Sequence, residues 1–70
     1  MKSLIGNYIN GNHTAAKLRA RRFGWRAIYT ALRHDYGYSE QSAFATADYL
    51  KGIGTKEDIA RANRETSTLA

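Results

Sequence analysis

The stretch His13-Thr14-Ala15-Ala16-Lys17-Leu18-Arg19-Ala20-Arg21-Arg22-Phe23-Gly24-Trp25-Arg26-Ala27-Ile28-Tyr29-Thr30-Ala31-Leu32-Arg33-His34-Asp35-Tyr36 decides the reading of this chain. On a helical wheel at ~100° per residue, Leu18, Trp25, Tyr29, Leu32 and Tyr36 fall within about 60° of one another. That is an apolar stripe sustained for about five turns. Asn12 or Thr14 can cap its start, and Gly37 offers a left-handed cap at its end. The spacing predicts one long helix over residues 13–36.

Working outward from that helix, Ser39 predicts the N-cap of a second one over residues 40–51, with Glu40 in its first turn where the helix dipole favours an acid. Ala43, Phe44, Ala47 and Leu50 share one face, and the small alanines allow close approach to the first helix. Tyr49 lies opposite that face and is expected to be exposed. Gly52-Ile53-Gly54 reads as a connector. Thr55 and Asp58 have the spacing of a capping box, with Asp in place of the usual Glu, which predicts a short third helix over 56–63 with Ile59 and Ala62 inward. Residues 64–70 read as a frayed tail. At the other end, residues 1–12 are rich in Gly and Asn. They read as an irregular arm on the core or a very short hairpin about Gly6-Asn7. The expected fold is an all-α single domain of three helices: one long, basic and amphipathic, one medium, one short.

Seventy residues leave no room for a second domain, and a chain of this size buries only about 60% of its unfolded surface. No cysteine is present, which excludes disulfides, Cys-ligated metals and thiol chemistry. No apolar run approaches the ~18 residues of a membrane span, and Met1–Gly6 lacks the form of a signal peptide, so the chain is expected in the cytoplasm.

The net charge of +5 is concentrated in one place. Lys17, Arg19, Arg21, Arg22, Arg26 and Arg33 lie in a stretch without a single carboxylate, while elsewhere acids and bases nearly cancel. On the continuous wheel Arg19, Arg22, Arg26 and Arg33 form a strip of about 60° beside the apolar stripe, with Arg21 on its other flank. Guanidinium forks suit phosphate or carboxylate and stack on rings, so this strip beside Trp25 and Tyr29 is a candidate binding face. The plainer alternative is that Trp25 and Tyr29 are core, with arginine stems lying over their edges. Phe23 falls off the stripe and needs the N-terminal arm or a partner to cover it. A basic helix bearing Trp25 also has the ingredients of membrane-surface association, but its apolar stripe is needed for the core.

Catalytic chemistry is poorly supplied. His13, His34 and Asp35 are the only acid–base candidates, and neighbouring helical residues do not face one another. Two histidines without cysteine or converging carboxylates make a poor metal site, and Gly52-x-Gly54 alone does not cradle phosphates. No enzyme, metal or cofactor is expected. A DNA-reading helix-turn-helix in 41–63 wants a small residue four before the turn glycine, where Asp48 and Leu50 stand instead. Glu57 and Asp58 also place acid at the start of the third helix.

The run from Asn12 to Arg22, followed by Tyr29-x-x-Leu32-Arg33-x-x-Tyr36-Gly37-Tyr38-Ser39, resembles small accessory proteins carried by enterobacterial phages and prophages. The resemblance covers roughly residues 12–50 and brings no functional residues with it. It implies a protein that inhibits host machinery by binding, of the anti-restriction or anti-CRISPR type. Many such inhibitors are acidic nucleic-acid mimics, a pattern from which this basic chain departs. The expected function is a non-catalytic docking protein acting in the cytoplasm of the bacterial host. Its contact residues are expected to be Arg19, Arg22, Arg26 and Arg33, with Lys17, Arg21 and Tyr49 around them. Its partner would be a host protein or nucleoprotein complex with an acidic or phosphate-lined surface. The alternative is sequence-neutral binding of DNA or RNA directly.

Overall fold

A computed structural model describes residues 2–69, with side chains over 2–65. Among the described residues the chain is all-helical: α1 (Lys2–Ile9), α2 (His13–Ala20), α3 (Trp25–His34), α4 (Glu40–Leu50) and α5 (Lys56–Leu69). The all-α expectation holds, but there are five helices rather than three.

The N-terminal segment is a helix, not an arm or a hairpin. Leu4 and Ile5 are fully buried and Tyr8 half-buried, so the apolar residues work at helical spacing once α2 is there to pack against. The helix closes in a Schellman motif: Gly11 adopts φ +88°, its N–H donates to Tyr8 O, and Asn12 N–H donates to Asn7 O. Asn12 then caps α2, its side chain accepting from Ala15 N–H at 3.3 Å.

The single long helix expected over 13–36 is two. After Ala20 the N–H groups of Arg21, Arg22 and Phe23 donate three residues back, a tightened final turn. Gly24 is extended at φ −75°, ψ 158°, and α3 starts at Trp25. Two causes combine. Glycine is about 1 kcal/mol worse than alanine inside a helix. The carbonyls of Ala20 and Phe23 are also taken by Lys51 Nζ, at 3.0 and 2.8 Å. A straight 24-residue helix would run ~36 Å at 1.5 Å per residue, longer than the 33 Å greatest extent of the molecule. Breaking it lets both halves pack on α4. The stripe breaks with the helix. Leu32 is buried, Trp25, Tyr29 and Tyr36 are half-buried, and Leu18 is 55% exposed.

The middle of the core is α4, which packs against α2, α3 and α5. Ser39 caps it as expected, accepting from Ser42 N–H at 3.2 Å. Ala43, Ala47 and Leu50 face inward as expected, joined by Ser42, Ala45, Thr46 and Tyr49. Two side chains are reversed. Phe44 was expected inside and is 53% exposed, whereas Tyr49 was expected outside and is 5% exposed. The reason is that α4 has a second neighbour. The flank carrying Tyr49 is covered by Tyr8 of α1 and His13 and Lys17 of α2, while Phe44 lies edge-on to Trp25 and Tyr29. Beyond Gly52, which closes α4 at φ +79°, the capping box forms: Thr55 N–H donates to Asp58 Oδ2 at 3.0 Å and Asp58 N–H to Thr55 Oγ1 at 3.4 Å. Helix α5 buries Ala62 and half-buries Ile59, and it continues to Leu69 instead of fraying after 63. The last position of the expected tail, residue 70, lies outside the described residues.

Candidate functional site

The break at Gly24 rearranges the cations. Lys17 and Arg19 lie in the last turn of α2, Arg21 and Arg22 in the corner that follows, and Arg26 in the first turn of α3. All five are exposed, and they crowd one bend of the chain with no carboxylate among them. Arg33, expected in the same strip, does not join them. It lies ~10 Å further along α3, where its Nη1 donates to Tyr38 O at 3.1 Å. The structure therefore assembles a cationic corner over residues 17–26 rather than a strip along one helix.

Position says something about what these charges are for. Cations at the end of α2 are favourable to its dipole, but Arg26 stands in the first turn of α3, where a cation is disfavoured by roughly 0.3–1 kcal/mol. No acid accompanies it in that turn, and Gly24 supplies no side-chain cap. The dipole of α3 gives Arg26 no favourable role there.

Lys51 was not singled out in the sequence and proves central. Its ammonium holds two carbonyls of the corner, neutralising the negative end of α2 and tying the bend to the end of α4. Only a local signal was present, a lysine at a helix C-terminus. Nothing in the order of residues indicated that it caps a different helix.

The aromatic residues divide between core and surface. Tyr49, expected to meet a partner, is packed inside. Its Oη lies 2.9 Å from His13 Nδ1, Tyr8 stacks on His13 at 5.0 Å, and Lys17 Nζ sits 4.3 Å over the Tyr49 ring. Trp25 and Tyr29 stack at 5.0 Å against the core, as the plainer alternative had it. Trp25 Nε1–H donates to Asp48 Oδ1 at 2.7 Å. Phe23 is half-buried against the core.

Concavities open at the surface among the described residues. One of about 740 Å³ is bordered by Phe44, Glu40, Asp48 and Asp58. A second, about 650 Å³, lies between Tyr8, Arg33, Tyr38 and Asn63. Burial pushes the phenols of Tyr8 and Tyr38 above their ordinary range. A third, about 190 Å³, is lined by Lys17, Arg21, Leu50, Lys51 and Gly52. Among the described residues no group of three or more His, Cys, Asp or Glu side chains converges as a metal site would require, and no helix is long and apolar enough to cross a membrane.

No protein-family model matches the chain, nor does any curated protein or solved structure.

Proposed function

We propose that this chain is a non-catalytic binding protein that applies the corner between α2 and α3 to a phosphate-lined surface, in nucleic acid or in a nucleoprotein complex. The observation that carries this reading is the corner itself: five exposed cations within residues 17–26, no acid among them, and one placed against its own helix dipole. In the phage setting implied by the resemblance over residues 12–50, that surface belongs to host nucleic-acid machinery, and docking blocks access to it. Burial of Tyr49 removes one of the anchors that favoured an ordinary protein interface. Phosphate, read by guanidinium forks without sequence preference, fits what remains.

The test is fluorescence anisotropy with labelled duplex and single-stranded oligonucleotides across a salt series. Four to five neutralised phosphates give a slope of about −4 in log K against log salt on duplex DNA. The double reversal Arg22→Glu/Arg26→Glu is expected to abolish binding with helicity unchanged, while Arg33→Gln leaves affinity nearly intact. Retained binding by the folded double variant refutes the corner as the contact surface.

A second reading, docking on a host protein, is favoured by one observation: Phe44 is exposed beside Trp25 and Tyr29 at the rim of the acidic concavity. It predicts that Phe44→Ala, and not the arginine reversal, abolishes capture of the partner.

A further inference from the structure

We infer that Lys17, Arg21 and Lys51 form a discrete oxyanion site, sized for one phosphate group, at the foot of the corner. This deepens the phosphate-binding reading and rests on it. These three side chains line the cleft of about 190 Å³ with Leu50 and Gly52, and no carboxylate borders it. At ~30 Å³ per water molecule, that volume holds a phosphate with a few waters.

Two of the three cations are held in place by other contacts. Lys51 Nζ is fixed by its bonds to Ala20 O and Phe23 O, at 3.0 and 2.8 Å, which leaves its third N–H free of those carbonyls. Lys17 Nζ is drawn over the Tyr49 ring, 4.3 Å from its centroid. Arg21, exposed on the first residue of the corner, brings a planar fork to the same cleft. The carbonyl end of a helix ordinarily repels anions. Here Lys51 occupies the last carbonyl of α2, Ala20 O, and Phe23 O of the corner beyond it, so this end presents ammonium instead. Three like charges around one small cleft repel one another, and a bound dianion removes that repulsion. The chemistry recognised is a phosphate oxyanion, whether a phosphodiester of nucleic acid or a free phosphate or phosphate monoester.

The experiment is a titration of the ¹⁵N-labelled full chain with sodium phosphate, against sodium chloride at matched ionic strength, followed by backbone amide shifts. Saturable shifts confined to residues 17–21 and 50–52, with phosphate and not chloride, are expected. Lys17→Gln and Arg21→Gln, both at exposed positions, should each weaken phosphate roughly tenfold, as loss of a charged hydrogen bond does. Lys51→Met is not relied on, since it also loosens the corner. Shifts spread over every cation, or unchanged by either variant, overturn the site.

A second arm uses a 12-base-pair duplex. If the same amides move and each variant lowers the salt slope by about 1, the bound group is a phosphodiester. If phosphate saturates the cleft and the duplex leaves those amides unmoved, the ligand is a free phosphate or monoester. A chain that binds duplex but lacks localised phosphate shifts loses this site and keeps the broader reading. One that fills the cleft with phosphate and binds no nucleic acid keeps the site and loses that reading.

Discussion

At the scale of single residues, the core holds a polar side chain that it does not satisfy. Thr46 is fully buried on α4, and its Oγ1 has no hydrogen-bond partner of ordinary geometry, although the Tyr8 phenol approaches it. An unsatisfied buried hydroxyl costs about 1–3 kcal/mol, so Thr46→Val, of nearly the same shape, should raise unfolding stability by about 1 kcal/mol in urea titrations. A loss of stability would show that Tyr8 and Thr46 are bonded after all. Tyr8 also bears on stability at alkaline pH. Burial favours its neutral phenol and holds its pKa above the ordinary 10.0, with the Thr46 hydroxyl pulling weakly the other way and Tyr49 adding to the rise. A raised acid pKa contributes stability that is complete below pH about 10 and lost as pH climbs through the folded value. Tyr38 shifts in the same direction, by burial and by proximity to Tyr8. Thermal midpoints measured from pH 8 to 11.5 should therefore fall steeply above 10, and Tyr8→Phe should flatten that fall.

At the scale of elements, some helix ends were legible in the sequence, while α1 and the break inside residues 13–36 were not. Ser39, Gly52 and the Thr55/Asp58 pair each carry their own capping chemistry within four residues and are used as read, and of the two candidates Asn12 and Thr14 it is Asn12 that caps. The break at Gly24 was missed because the 100° wheel runs smoothly through it, so the periodicity of α2 and α3 in series imitates one helix. What decides against the long helix is Lys51, more than 25 residues away, together with a core too short to cover it. The exchange of Phe44 and Tyr49 has the same origin, since which flank of α4 is inside depends on an α1–α2 pair whose existence the Gly/Asn-rich start concealed. For the site, the charge was readable and its placement was not. The corner also yields a test by substitution. Gly24 is extended and an added Cβ meets nothing within 4 Å, so Gly24→Ser gains an N-cap oxygen and a stiffer unfolded chain. We expect it to stabilise by about 0.5–1 kcal/mol. Gly52→Ala, at φ +79°, should cost about 1–2 kcal/mol by forcing a side chain into the left-handed region. Equal effects at the two glycines would contradict the break as described.

At the scale of the whole molecule, a cationic corner stands at the bend between α2 and α3, while Glu40, Asp48 and Asp58 border a separate concavity. Within that corner five cations stand together, and Arg26 opposes the dipole of α3. This makes stability and binding respond in opposite directions to the same change. Replacing Arg22 and Arg26 with Glu removes mutual repulsion and places an acid in the first turn of α3, where it is favoured by roughly 0.3–1 kcal/mol. The double variant should therefore melt at the same temperature as the parent or a few degrees higher, with the gain largest at low salt, where unscreened repulsion is strongest. Added salt should raise the parent's midpoint more than the variant's. A cationic surface kept for the fold's own sake gives the reverse result, a variant that melts lower at every ionic strength. Calorimetry at 20 and 300 mM salt separates the two, and it needs no knowledge of the partner. Were their removal to strengthen the fold, Arg22 and Arg26 would owe their place to something outside it.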